Sequence, residues 1–334
     1  MLKIDVHTHI LPKDVPNWKD RFGYGGFIRL DHYKPCCARM LRDDGKQFRD
    51  IEANCWDPGK RIEEMDAAGV TAQVLSTVPV MFSYWAKPED GETVAKYLND
   101  DIAEAVGSAP TRFAGLGTVP LQDTARAIKE LERCKTIGLI GVQIGTNVNR
   151  QNLGEPRFFE FFEACRSLEM SVFVHPWEMM GEGDMQKYWL PWLVGMPAET
   201  SRAICSLIFS GTLEKLPGLR ICFAHGGGSF PATIGRIEHG FHVRPDLCAV
   251  DNPVNPRDYL GRIYFDSLVH DPVMLRYLVG LAGADHVMLG SDYPFPLGEE
   301  RPGELIESCG FDDETKERLL SRAALDWLGL DSWN

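Results

Sequence analysis

The chain has 334 residues, enough for one large α/β barrel or for two smaller domains. Hydrophobic residues make up 44% and charged residues 25%, an ordinary balance for a water-soluble globular protein, and no apolar run is long enough to cross a bilayer. The net charge of −13 argues against a nucleic-acid partner, which wants a basic face, and leaves any anionic ligand dependent on local positive charge. A strand begins at Leu2 and runs through Ile4-Asp5-Val6 to His7-Thr8-His9. Residues 12–55 read as an irregular cap, with turns at Gly23–Gly26 and Asp43–Lys46 and strand-like runs at Phe27–Leu30 and Gln47–Ile51 that could pair as a hairpin. Asp57-Pro58 then reads as an N-cap followed by proline at the first helical position, and Gly69 as the stop.

From there strands and helices alternate. Strands are expected at Val70–Val78, Phe113–Val119, Ile140–Ile144, Ser171–Val174, Arg220–Ala224, Arg262–Asp266 and His286–Leu289. Helices are expected at Arg61–Ala68, Pro88–Ser108, Asp123–Thr136, Glu155–Leu168, Ala198–Leu213, Phe230–Gly240, Pro272–Leu281 and Thr315–Leu328. Such alternation implies a parallel sheet with helical crossovers, and eight units favour a closed (β/α)8 TIM barrel over an open doubly wound sheet. One barrel domain is expected over residues 1–334, with 12–55 as an insertion after the first strand. The nine cysteines form no Cys-x-x-Cys pair, and the early first strand leaves no room for a signal peptide, so a reducing, cytoplasmic setting is expected.

Polar residues recur where strands end. His7 and His9, at i and i+2, share one side of their strand, and neutral imidazole is the commonest ligand of transition metals. His175 follows Val172-Phe173-Val174. His225 follows Ile221-Cys222-Phe223-Ala224 and precedes three glycines, which admit unusual backbone angles and close approach to a ligand. Asp292 follows Val287-Met288-Leu289-Gly290-Ser291. Each alone is compatible with packing. Together, at the C-terminal ends of strands one, five, six and eight, they would meet on one face of a barrel.

These residues resemble the amidohydrolase superfamily. The stretches Asn54–Pro58, Thr77–Phe82, His175-Pro176-Trp177, Pro191–Thr200, His225–Gly228 and Gly290–Gly298 are similar to its decarboxylase subgroup acting on 2-amino-3-carboxymuconate 6-semialdehyde, and the resemblance spans nearly the whole chain. It implies that His7, His9, His175 and Asp292 hold one zinc ion with a water in the open position; cobalt or iron could use the same ligands. Strand four has no lysine to bridge a second metal. His225 is implied as the acid–base, with a fifth metal ligand as its alternative, and Asp292 as a proton shuttle. For a dicarboxylate substrate the resemblance implies Arg49 from the cap and Arg236 reaching a neighbouring subunit's site, in a homodimer. Arg61 and Arg244 are the alternatives in the sequence. The aromatic cluster Trp177, Trp189, Trp192 and Phe295 reads as core or interface, with Trp192 as an interface anchor.

The implied reaction is non-oxidative loss of carbon dioxide, either after addition of metal-activated hydroxide to the conjugated chain or with the metal as Lewis acid alone. Hydrolysis of a lactone or amide, and a non-catalytic dimeric binding role, are the competing readings.

Overall fold

Eight runs of largely apolar, buried residues form the strands β1 (Ile4–Ile10), β2 (Ala72–Thr77), β3 (Phe113–Gly117), β4 (Gly141–Gly145), β5 (Ser171–His175), β6 (Ile221–Phe223), β7 (Tyr264–Asp266) and β8 (Val287–Met288). They are parallel and neighbour one another in chain order. Backbone bonds carry the sheet from the exit of β8 back to β1: Val6 N–H donates to the Leu289 carbonyl at 2.9 Å and His9 N–H to that of Tyr293 at 2.8 Å. The computed structural model, which describes residues 1–42 and 44–333, is therefore a (β/α)8 barrel rather than an open sheet. Asp43, the first residue of one expected turn, lies outside the described residues.

The first crossover helix, Pro58–Ala68, starts as its sequence demands: Asp57 Oδ1 accepts from the N–H groups of Gly59 and Lys60, and Gly69 closes the end at φ 70°. Three expected helices are interrupted. Glu155–Leu168 opens with a 3₁₀ turn at Pro156–Phe158 before the helix Phe159–Ser167. Ala198–Leu213 becomes Met196–Phe209 and Thr212–Lys215, separated at Gly211, whose φ is 74°. Thr315–Leu328 contains a π turn at Arg318–Arg322. The expected strand Arg262–Asp266 starts two residues late, because the N–H groups of Arg262 and Ile263 bond back to the Tyr259 carbonyl.

The lower barrel is filled by Ile4, Val6, Val74, Leu116, Phe173 and Met288, and the last helix plugs it with Trp327, which is fully buried. Replacing Trp327 by alanine is expected to cost about 3–5 kcal/mol, the usual range for emptying a buried aromatic site. Chemical denaturation measures this; an unchanged midpoint would contradict it.

Two features aim the mouth. First, β1 carries a bulge: Asp5 pairs with Gln73 but Thr8 already pairs with Leu75, so β1 holds one residue more than β2. Without it, the side-chain alternation that puts Ile4 and Val6 inside would turn His7 and His9 away. With it, the interior passes from Val6 to His7 and His9. Second, the cap is a three-stranded antiparallel sheet, Ile28–Lys34, Cys37–Arg42 and Gln47–Glu52, rather than a hairpin. Its inner residues Phe27, Met40 and Ile51 pack with Trp56 on Val78 and Met81 beyond β2. That packing seats the strand carrying Arg49 beside the mouth.

Candidate metal centre and active site

At the C-terminal mouth, one ligand atom each from His7, His9, His175 and Asp292 lie within 4.8 Å of one another, and all four residues are buried. The His9 and His7 Nε2 atoms are 3.0 and 3.6 Å from Asp292 Oδ1. His225 completes the ring from the other side, its Nε2 4.0 Å from Asp292 Oδ2 and its ring centroid 5.0 Å from that of His175.

The other ring nitrogens are anchored. Nδ1 of His9 lies 3.0 Å from the Thr77 carbonyl, that of His175 3.0 Å from the Pro176 carbonyl, and that of His7 2.7 Å from Asp266 Oδ2. Holding Nδ1 in this way fixes each ring and turns Nε2 inward. The inward Nε2 atoms of His7, His9 and His175 have no well-aligned hydrogen-bond partner among the described residues. Buried polar atoms are rarely left so, and three converging on a carboxylate fit a cation. β4 carries no lysine; its central Gln143 donates to the Thr77 carbonyl and accepts from Ser76 Oγ.

The backbone is shaped for this. His225 and Asp292 sit at φ 56° and 58°, a region that non-glycine residues seldom occupy. The run Gly226–Gly228 continues at φ 60°, 78° and 62°, as expected for a chain turning sharply at a site. Gly290 is required by close approach: a Cβ there would meet Asp266 Cβ at 2.7 Å and His7 Cβ at 2.9 Å.

Charge states follow from burial. Burial pushes the His175 imidazole well down, aided by the neighbouring rings of His225, His7 and His9; burial and then His7 lower His225 to about 4. Burial would raise the Asp292 carboxyl, but the bond from His9 and the charges of His7, His9 and His225 outweigh it and hold Asp292 well below the usual carboxylate range. Burial likewise lowers His9, whereas at His7 burial is outweighed by the bond to Asp266 and the charges of Asp292 and Asp266, which raise it. Neutral imidazoles beside an ionised carboxylate are the forms a metal needs, so metal binding competes with a proton at His7. For His225 and His175 the unfolded chain binds more protons than the folded one below 6.5, so stability rises with pH in that window. Asp5 and Glu299, which burial raises to about 7, act in the opposite sense, so the His225 contribution is read as a difference. Relative to metal-free His225→Asn, the metal-free wild type is expected to lose stability as pH falls from 6.5 through about 4. Melting temperature of the two proteins against pH checks this; a difference that stays flat across the window would contradict it.

Above the centre lies a cavity of about 310 Å³. Its polar floor is His9, His175, His225 and Asp292; Arg49 projects into it with its guanidinium 4.1 Å from the Phe295 ring centroid. Phe48, Trp177, Trp189, Trp192 and Leu193 form the apolar wall. Trp177, Trp189, Trp192 and Phe295, expected as core or interface, thus line the cavity. Tyr188, Leu193 and Val194 beside them remain exposed.

The arginines separate. Arg61 is fully buried and donates to the carbonyls of His9 and Asn54, holding the mouth together rather than facing a ligand. Arg244 is exposed and paired with Asp246. Arg236 is exposed on the helix Phe230–Val243 and does not line the cavity of its own chain. Two residues escaped the sequence reading. Asp266 ends β7 after Tyr264-Phe265, the same strand-exit signal that marked His175; His270, a little further on, lines the cavity.

A sequence profile of the amidohydrolase family matches residues 4–330. The 2-amino-3-carboxymuconate-6-semialdehyde decarboxylase of Dictyostelium discoideum is 60% identical over 332 residues, spanning 99% of this chain and 92% of the relative. The enzyme of that name from Caenorhabditis elegans is 42% identical over 380 residues, spanning 98% and 94%. The chain belongs to the 2-amino-3-carboxymuconate-6-semialdehyde decarboxylase family. It is an enzyme, a carboxy-lyase of that family. Its barrel is similar to that of a solved 5-carboxyvanillate decarboxylase from Novosphingobium aromaticivorans, complexed with manganese and 4-hydroxy-3-methoxy-5-nitrobenzoic acid. The TM-score is 0.82 at 22% identity, covering 98% of this chain and 96% of that one, a likeness of fold.

Proposed function

We propose that this decarboxylase uses one zinc ion to convert 2-amino-3-carboxymuconate 6-semialdehyde to 2-aminomuconate 6-semialdehyde. In that role it would serve the kynurenine route of tryptophan catabolism in the cytoplasm, diverting the semialdehyde from cyclisation to quinolinate and so limiting NAD formation. The observation that carries the reading is the convergence of His7, His9, His175 and Asp292, with three inward Nε2 atoms that have no well-aligned hydrogen-bond partner among the described residues. Three imidazoles and one carboxylate suit zinc; manganese, present in the 5-carboxyvanillate enzyme, is the rival. A divalent ion there supplies Lewis acidity at the cavity floor.

The side chains supply the rest. The net change replaces a carboxylate by a proton: the carbon–carbon bond breaks, its electron pair stays with the substrate chain and carbon dioxide leaves. His225, neutral near pH 7 and lining the cavity, can take a proton at Nε2 from a water in the cavity and deliver it to the substrate carbon. The hydroxide left behind returns to solvent as bicarbonate with the released carbon dioxide, or as water on reprotonation. Asp292, 4.0 Å away, steadies the imidazolium form. Arg49 binds a substrate carboxylate with its fork, and the aromatic wall keeps bulk water from the reacting carbon. Exposed Arg236 and the apolar run Tyr188, Leu193 and Val194 support a homodimer in which Arg236 serves the partner's cavity, with Trp192 near the interface.

The test is to follow the semialdehyde's absorbance and carbon dioxide release together. Equal loss and release support the proposal; loss without release, or turnover of lactones and amides instead, sinks it. Arg49→Ala is expected to lower kcat/KM by on the order of 10- to 100-fold, mainly through KM, as loss of a charge-assisted bond of about 1.5–3 kcal/mol requires. Steady-state kinetics showing KM unchanged would remove Arg49 from substrate binding.

A further inference from the structure

We infer that Asp266 is a positioning residue that sets the tautomer of His7, and through it decides whether the centre can take a metal. The inference rests on the metal centre proposed above. Asp266 is fully buried and its two oxygens are heavily engaged. Oδ1 accepts from the N–H groups of Gly226 at 2.7 Å and Leu268 at 3.2 Å; Oδ2 accepts from His225 N–H at 2.9 Å and faces His7 Nδ1 at 2.7 Å. With three backbone N–H groups already donating to it, Asp266 faces His7 as an acceptor, so His7 carries a proton on Nδ1. In the neutral ring that leaves the His7 Nε2 lone pair pointing inward, where a cation needs it. The same carboxylate fixes the backbone of His225 at its positive φ, so one side chain sets a metal ligand and the acid–base together.

The arrangement makes asparagine at 266 a pointed substitution. The amide oxygen can serve the Gly226 and Leu268 N–H groups or the His225 N–H and His7, not both; with the oxygen at the Oδ1 position, which keeps the two backbone bonds, the NH₂ takes the place of Oδ2 and faces His7. His7 Nδ1 must then accept, which moves its proton to Nε2 and blocks the ligand position. Asp266→Ala removes the acceptor without imposing the wrong tautomer.

The first measurement uses the unaltered protein: ¹⁵N-histidine spectra of the metal-free enzyme, with His7 assigned by difference against His7→Gln. An Nδ1–H signal for His7 is expected; an Nε2–H signal overturns the inference whatever any variant does. The second is zinc affinity by chelator competition. Asp266→Asn is expected to lose about 10- to 100-fold, the usual effect of disturbing a residue behind a metal ligand, and more than Asp266→Ala. Asn equal to wild type, or Asn no worse than Ala, contradicts the assignment. Wild-type zinc content, read in the same titration, tests the metal centre separately: wild type that binds no zinc defeats that proposal, whereas the His7 tautomer still tests this one.

Discussion

Replacing His175 by alanine is expected to strip the metal from the protein and to lower turnover by on the order of 10³- to 10⁴-fold, the scale of several kcal/mol of Lewis-acid stabilisation. His175 is the last residue of β5, its Nδ1 is held by the Pro176 carbonyl, and its Nε2 has no aligned partner among the described residues. His225, the nearest imidazole, faces Asp292 Oδ2 at 4.0 Å, whereas His7 and His9 approach Oδ1. The core lies in the barrel interior below and between barrel and helices, so circular dichroism and the cooperative melt should persist. Metal content and turnover at wild-type levels in His175→Ala would point to a non-catalytic cluster.

His225 should behave differently. Asparagine is the apt replacement, because it tolerates the left-handed backbone that His225 adopts at φ 56°. His225→Asn is expected to keep its metal and to lose 10²- to 10⁴-fold in kcat, the usual contribution of a general acid–base. The paired readout separates the two roles that the sequence left open. Metal retained with turnover lost identifies the acid–base; metal lost together with turnover identifies a fifth ligand. Unchanged kcat would remove His225 from the chemistry.

Much of this site was legible because it sits on strand ends, where a (β/α)8 barrel converts distance along the chain into proximity. His175, His225 and Asp292 each follow a run of buried apolar residues, so strand period and polarity sufficed to find them. The first strand is subtler. Its alternation, followed from Ile4 and Val6, would turn His7 outward; only the bulge between Asp5 and Thr8 restores the inward direction, and no residue type there announces a bulge. The middle strand of the cap was missed because Cys37–Arg42 has no β-branched residue and two arginines, although Ala38 and Met40 alternate inward. Asp266 bore the strand-exit signal but was read as the end of a strand only. Arg49 and Arg61 cannot be told apart by sequence: what separates them is that Arg61 is spent on two carbonyls while Arg49 stands over Phe295 in the cavity. The aromatic cluster was visible as composition, but which side of it faces inward depends on the π turn at Pro191–Gly195, which periodicity does not reveal.

The most direct test is anomalous diffraction at the zinc edge, paired with metal analysis of the purified enzyme. The account predicts one peak per chain, bonded to His7, His9, His175 and Asp292, and one equivalent of zinc. Two peaks about 4 Å apart, as in a dinuclear site, or an active enzyme with no metal at these four residues, would contradict it.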